Sequence, residues 1–296
     1  MRKDETRAVG YDRELGVEAY RFCGVMQKFP NHFHDYYVVG YVEGGARRMT
    51  CRNRAYLLEP GSVLLLNPGD NHACEPVDGK PLDYRCLNIG RETMARISSG
   101  MSRGDAPPYF SEPVAVSREA ASALCDVHAA IMRERADAAK EERFLFFVQS
   151  LIEEHAAPTD EAERDGRDDG EAVAKACAWL EAHSGENVTL ERLARIAGGN
   201  KYTLLRAFVR REGITPYRYL TTLRVGRAKH LLESGVPPAE CAFRTGFSDQ
   251  SHFTTTFRQL IGLTPKQYQR IFAEGGDRER PSRDGANRAL PEEIIA

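Results

Sequence analysis

The 296-residue chain has no apolar run near the roughly 20 residues that a membrane-spanning helix needs. Its polar start, Met1-Arg2-Lys3-Asp4-Glu5, is not followed by the hydrophobic core of a secretion signal. These absences lead to the expectation of a cytoplasmic protein with no membrane role. A C-x-x-C pair is also missing. The seven cysteines (Cys23, Cys51, Cys74, Cys86, Cys125, Cys177, Cys241) are odd in number and scattered. They read as reduced thiols serving as small core residues, with a thiol-reactive sensor as the alternative. Strong net charge is lacking too: 41 Lys/Arg against 43 Asp/Glu leave a formal −2, which taken alone argues against nucleic acid. That balance is an average over unlike halves. Between Glu186 and Glu274 there are 14 Lys/Arg against 7 Asp/Glu, so the basic part is C-terminal.

What the chain does have is a repeat. Gly213-Ile214-Thr215-Pro216-Tyr217-Arg218-Tyr219 recurs 49 residues later as Gly262-Leu263-Thr264-Pro265-Lys266-Gln267-Tyr268, and the same offset pairs Phe208 with Phe257 and Asn200 with Asp249. Each copy reads as a short helix, a glycine turn, a capping residue and a second helix, the order of a helix-turn-helix. In the first copy Leu190, Leu193, Ala194 and Ala197 form one face, Gly198-Gly199 break the helix, and Leu204 and Phe208 face inward. In the second, Ala239, Ala242 and Phe243 are expected to be the support, Gly246 the turn, and Phe253 with Phe257 the inward stripe. Pro216 fits the first turn of a helix that joins the copies and runs to about Glu233.

The stretch from Leu193 to Tyr268, with Gly246-Phe247-Ser248-Asp249-Gln250-Ser251-His252-Phe253 and two Gly-x-Thr-Pro-x-x-Tyr ends, resembles the DNA-binding domain of AraC/XylS-family transcriptional regulators. The resemblance implies double-stranded DNA and RNA polymerase as partners. The outward residues Lys201, Tyr202, Leu205 and Arg206 of the first recognition helix, and Gln250, Ser251, His252 and Thr254 of the second, are the expected DNA contacts. The family often has Arg where this chain has Thr255, which implies a second half-site read more weakly, or through phosphates and DNA shape.

The N-terminal half reads as short strands: Tyr36 to Val42, Arg47 to Cys51, Tyr56 to Leu58 and Ser62 to Leu66, punctuated by Gly and Pro as in a small β-barrel or jelly roll. His32-Phe33-His34, Pro60-Gly61 and Pro68-Gly69-Asp70-Asn71-His72 resemble the cupin-type sensor domain carried by many AraC-family members. His32 and His34, two apart, fall on one strand face, and His72 can join them to make a three-histidine group. Enzymatic cupins usually place a Glu shortly after the His-x-His pair. Here Tyr37, Val38 and Val39 stand there, so no metal and no cofactor is assigned, and an effector-contacting or structural role is preferred. His32, His34, Tyr36, Tyr41 and His72 are the expected effector-binding residues.

Beyond the barrel the period becomes helical. Ser117 can cap a helix carrying Ala121, Leu124, Cys125, His128, Ile131 and Met132, and Glu141 to Glu154 carries Phe144, Leu145, Phe147, Val148, Leu151 and Ile152. This helix pair can cover the barrel or form a homodimer interface. The expected class is therefore α+β. Residues 1–155 form a cupin-like effector-binding and dimerisation domain and 156–172 an acidic linker. Residues 173–274 form an all-α domain of two helix-turn-helix units, and 275–296 a disordered tail. The expected function is a sequence-specific transcriptional regulator controlled by a small-molecule effector, with no catalytic residues. The alternative is a metal-dependent cupin enzyme fused to a DNA-binding domain.

Overall fold

Alternation with period two builds the N-terminal half, and the side of each strand decides which core it joins. The computed structural model describes residues 5–101, 107–132, 139–157 and 170–273. The tail from 275 and most of the expected linker, 158–169, lie outside these residues. The strands are β1 (Thr6–Asp12), β2 (Val17–Val25), β3 (Phe29–His32), β4 (Tyr37–Gly44), β5 (Arg47–Cys51), β6 (Arg54–Leu58), β7 (Val63–Leu66), β8 (His72–Pro76), β9 (Leu82–Ile89) and β10 (Val114–Ala115). They pair antiparallel in two sheets, β1-β2-β9-β4-β7-β10 and β3-β8-β5-β6. Val38, Val42 and Leu64 of the larger sheet meet Met49, Cys51 and Leu58 of the smaller one, forming the barrel interior.

The opposite face of the larger sheet is also covered. Val17, Ala19, Tyr37, Val39, Val63, Leu65, Leu87 and Ile89 pack against α1 (Arg91–Gly100), α2 (Arg118–Met132) and α3 (Lys140–His155). A sheet buried on both faces explains why Val63-Leu64-Leu65-Leu66 is apolar throughout. Ser117 caps α2 as expected, its Oγ accepting from Ala120 N at 3.1 Å. The helix pair therefore has the covering role, while Phe146 on its outer side remains 67% exposed. Helix α1 and strands β1, β2 and β9 were not anticipated from the sequence.

The C-terminal half contains α4 (Gly170–Ala182), α5 (Leu190–Ile196), α6 (Lys201–Glu212), α7 (Pro216–Glu233), α8 (Pro238–Arg244), α9 (Gln250–Ile261) and α10 (Pro265–Ala273). The two helix-turn-helix units are α5–α6 and α8–α9, and α7 joins them. Their ends obey the capping chemistry read from the repeat. Asn200 Oδ1 accepts from Tyr202 N at 3.0 Å and Thr203 N at 2.9 Å, and Asp249 Oδ1 accepts from His252 N at 2.7 Å. Gly246 holds φ +82°, and a Cβ there would lie 2.6 Å from the carbonyl oxygen of Gly185, so only glycine fits that turn. Asn200→Ala and Asp249→Ala should each cost about 1 kcal/mol, read as a lower urea midpoint at unchanged slope. An unshifted midpoint would remove the caps from the account.

One expectation is corrected. Ala239 and Phe243 do not support the second unit: Ala239 is exposed and Phe243 is 85% exposed. Helix α8 turns Cys241 and Ala242 inward instead, with Thr245 buried just beyond its end. The 49-residue offset conserves the turn and the second helix better than the face of the first.

Candidate functional site

The residues expected to contact DNA sit on α6 and α9, five of them exposed and three half-buried. On α6, Tyr202 and Arg206 are exposed and Lys201 and Leu205 half-buried, while Leu204 and Phe208 are buried. On α9, Gln250, Ser251 and His252 are exposed, Thr254 is half-buried, and Phe253 and Phe257 are fully buried. Lys201 is held by Glu191 at 2.5 Å, and the His252 ring packs on Phe247 with centroids 5.3 Å apart. Arg206 has no ion-pair partner among the described residues and is the most available fork on α6. The local basic excess overstates the DNA-facing charge, because several of its cations point inward. Arg224 donates to the carbonyls of Ser184 and Glu186, Arg218 Nε donates to Asn31 O at 2.7 Å, and Lys229 is buried.

A cavity of about 110 Å³ occupies the barrel. Its walls are mainly apolar, including Phe22, Val38, Met49, Leu64 and Leu66. The three histidines gather at one side: ring centroids are 4.4 Å apart for His32 and His72, 4.7 Å for His32 and His34, and 5.3 Å for His34 and His72. The means differ from the sequence expectation. β3 ends at His32, which faces His72 across the β3–β8 pair, and His34 reaches the group from the following loop, stacked on Tyr36. Burial holds all three imidazoles below the usual histidine pKa, and for His32 and His34 the neighbouring rings add to the effect. They are neutral at pH 7, so their free nitrogens can accept a hydrogen bond or ligate a metal.

Tyr41, expected in this pocket, is not there. It lies among the residues packed under the helices, because β4 turns Val38 and Val42 into the barrel and Tyr37, Val39 and Tyr41 to the other face. Most of the apolar lining lay outside the expected set, and so did polar residues, among them Arg47, Tyr20 and Asn88. Arg47 is fully buried; its Nη atoms donate to the carbonyls of Val25, Ala46 and Lys80, but no group accepts from Nε. Tyr20 Oη is likewise buried without a partner. Arg47 carried a sequence signal, since it alternates with Met49 and Cys51 on the inward face of β5.

The C-terminal domain completes this cavity. Leu260 and Ile261, the last residues of α9, form part of its wall. The same two residues line an adjoining cleft of about 140 Å³ with His32, His34, Tyr36 and Lys229. The barrel also holds the C-terminal carbonyls of both recognition helices. Asn53 Nδ2 donates to Arg210 O at 3.1 Å and Asn31 Nδ2 to Gly213 O at 3.1 Å at the end of α6. Gln27 Nε2 donates to Gln259 O at 3.1 Å, and Arg7 donates to Gly262 O, at the end of α9.

A buried polar group fastens the two halves. Glu18 of β2 accepts from Asn88 Nδ2 at 2.9 Å, from Lys229 Nζ of α7 at 3.1 Å, and from the Tyr268 hydroxyl of α10. Burial opposes the charge on Lys229, but Glu18, Tyr36 and Glu233 outweigh it and hold its pKa above the usual lysine value. Its ammonium also lies 4.1 Å from the Tyr36 ring centroid.

A barrel enclosing a cavity, joined to a pair of helix-turn-helix units, is the architecture of a DNA-binding regulator with a ligand-binding type of domain. Residues 14–148 match the AraC-like ligand binding domain and residues 193–271 a helix-turn-helix domain. The chain is 45% identical over 250 residues to the HTH-type transcriptional regulator YbfI of Bacillus subtilis (strain 168), across 84% of this chain and 90% of YbfI. It is 30% identical over 255 residues to the HTH-type transcriptional activator RhaS of Salmonella arizonae, across 80% of this chain and 86% of RhaS. The chain belongs to the AraC family of DNA-binding transcriptional regulators. Its fold is similar to that of a single-substitution variant of apo ToxT from Vibrio cholerae strain SCE256, with a TM-score of 0.51 and 15% identity over 86% of this chain and 97% of that one. Among the described residues no helix is long and apolar enough to cross a membrane.

Proposed function

We propose that this regulator acts in the cytoplasm, that a small effector with an apolar body occupies the barrel cavity, and that the occupant sets the spacing of the two recognition helices. The observation that carries this reading is the seating of both helices on the barrel, with Leu260 and Ile261 of α9 forming part of the cavity wall. A ligand can shift the protein only through unequal affinity for two arrangements. An effector that needs the space beside Leu260 and Ile261 binds better when α9 has moved, and so favours a different reach on DNA. Arg47, Tyr20 and the three histidines supply the polar anchors, and apolar burial supplies most of the affinity. The exposed Phe146 face of α3 is the proposed homodimer contact, and RNA polymerase is the proposed partner at the promoter.

Arg206 is the proposed base reader on α6, with Tyr202 and Leu205 beside it, while Gln250, Ser251, His252 and Thr254 serve the second half-site. Operator fragments selected from genomic DNA with the purified chain provide the test. Arg206→Ala should weaken operator binding by roughly 1–3 kcal/mol, about 5- to 150-fold, and leave random DNA nearly unchanged. Equal losses on both DNAs would reduce Arg206 to a phosphate contact. For the effector, compounds that raise the melting temperature of the full chain should also change operator affinity, and Ile261→Trp, which fills the cavity wall, should abolish both responses. Stabilising compounds that leave operator affinity unaltered would overturn the coupling.

A further inference from the structure

We propose, on the reading of the cavity as an effector site, that Arg47 binds a carboxylate of the effector, whose apolar body then runs along the barrel toward Leu260 and Ile261. A guanidinium carries five N–H donors. Three of those on Arg47 go to backbone carbonyls: Nη1 to Ala46 O at 3.0 Å and Lys80 O at 3.1 Å, and Nη2 to Val25 O at 2.7 Å. Among the described residues, Nε–H and the second Nη2–H have no acceptor, and Nε is buried. These are the two nitrogens through which Arg52 holds the Asp70 carboxylate, at 2.7 Å and 2.8 Å.

Charge points the same way. Arg47 is fully buried, and among the described residues no carboxylate forms an ion pair with it. Two titratable groups lie near it. Burial pushes the Cys74 thiol up to about 11, so it stays neutral, and the exposed Asp78 carboxylate accepts from the amides of Ala46 at 3.1 Å and Lys80 at 3.0 Å. A buried cation without a countercharge is costly, so an anion is held here more strongly than a neutral group of the same shape.

The place of Arg47 on β5 sets the ligand's shape. Arg47 pairs with Leu58 of β6, whereas Cys51, further along β5, pairs with His72 of β8. At about 3.3 Å per residue these two levels of the barrel stand about 13 Å apart. Met49, Leu58, Leu64 and Leu66 give the cavity apolar walls, and Leu260 and Ile261 close it beside His32 and His34. An elongated acid with its carboxylate on Arg47 therefore reaches the α9 wall, and a short one does not. The effector's class follows as an elongated apolar monocarboxylate.

The test titrates benzoate, hydrocinnamate and biphenylcarboxylate, each beside its primary amide, into the full chain by calorimetry without DNA. Biphenylcarboxylate should bind tightest, and roughly 30-fold or more tighter than its amide, the loss expected when one partner of a buried hydrogen-bonded charge pair is removed. Arg47→Met should erase that preference and bind the amide at least as well. Arg47→Lys keeps the charge without the fork and should retain only part of the preference. Circular dichroism checks the folding of both. The assignment is overturned if none of the acids binds, if acid and amide bind the unaltered chain equally, or if folded Arg47→Met still prefers the acid. Where neither variant folds, the comparison of acid with amide on the unaltered chain decides. Acids that bind through Arg47 yet leave operator affinity unchanged would sink the regulatory reading and leave this site standing.

Discussion

Lys229→Ala should release the C-terminal domain from the barrel, with a loss of about 3–5 kcal/mol in the stability of the docked form. The magnitude follows from what is left behind. Glu18 would keep Asn88 and Tyr268 as donors but lose its countercharge in a site where the side chains are 6% and 9% exposed. An unpaired buried carboxylate is far costlier than the pair is favourable, so the double variant Glu18→Gln, Lys229→Met should recover much of the loss. Small-angle scattering should report an expanded Lys229→Ala chain, and urea unfolding should split into two transitions. DNA binding by the released domain should become insensitive to the occupant of the cavity. A compact Lys229→Ala protein with one unshifted transition would show that the latch does not hold the domains together.

The sequence made the C-terminal half legible because its information is local. Turn glycines, caps and inward aromatics act within a few residues, and the 49-residue repeat states them twice. The latch was not legible: Lys229 and Tyr268 lie more than 200 residues beyond Glu18, and all three belong to ordinary local patterns. The barrel lies between these cases. Strand parity puts Val38 and Val42 on one face, and applied to Tyr41, five residues from Tyr36, it puts that ring on the other, a step the sequence reading did not take. His72 could be paired with His32 by motif, but His34 joins the group through a loop whose path depends on the packing of Phe33 against Tyr219, rings 4.9 Å apart. Phe243 was misplaced for a related reason. Helical periodicity gives a face, but which apolar residue lies at its edge depends on the neighbouring helix.

Phe257→Ala should cost about 3–5 kcal/mol and remove the second half of the DNA footprint. The Phe257 ring is fully buried, with centroids 5.6 Å from Phe253 and 5.7 Å from Tyr268. Its loss opens a void beneath α9, so Gln250, Ser251 and His252 lose the rigid base that aims them. The first unit has a separate core, Leu193, Leu204 and Phe208 against α4 and α7, and should survive. Two intact units should protect successive major grooves about 34 Å apart, whereas the variant should protect only the groove read by α6. Because Tyr268 packs on the same ring and donates to Glu18, the cavity should also loosen on the side closed by Leu260 and Ile261, linking a DNA-reading defect to weaker effector control. Hydroxyl-radical footprinting and a paired urea titration check both parts. Protection of both grooves by a variant that has lost the expected stability would mean that α9 contributes backbone contacts alone, and that the base-reading role assigned to its outer face is wrong.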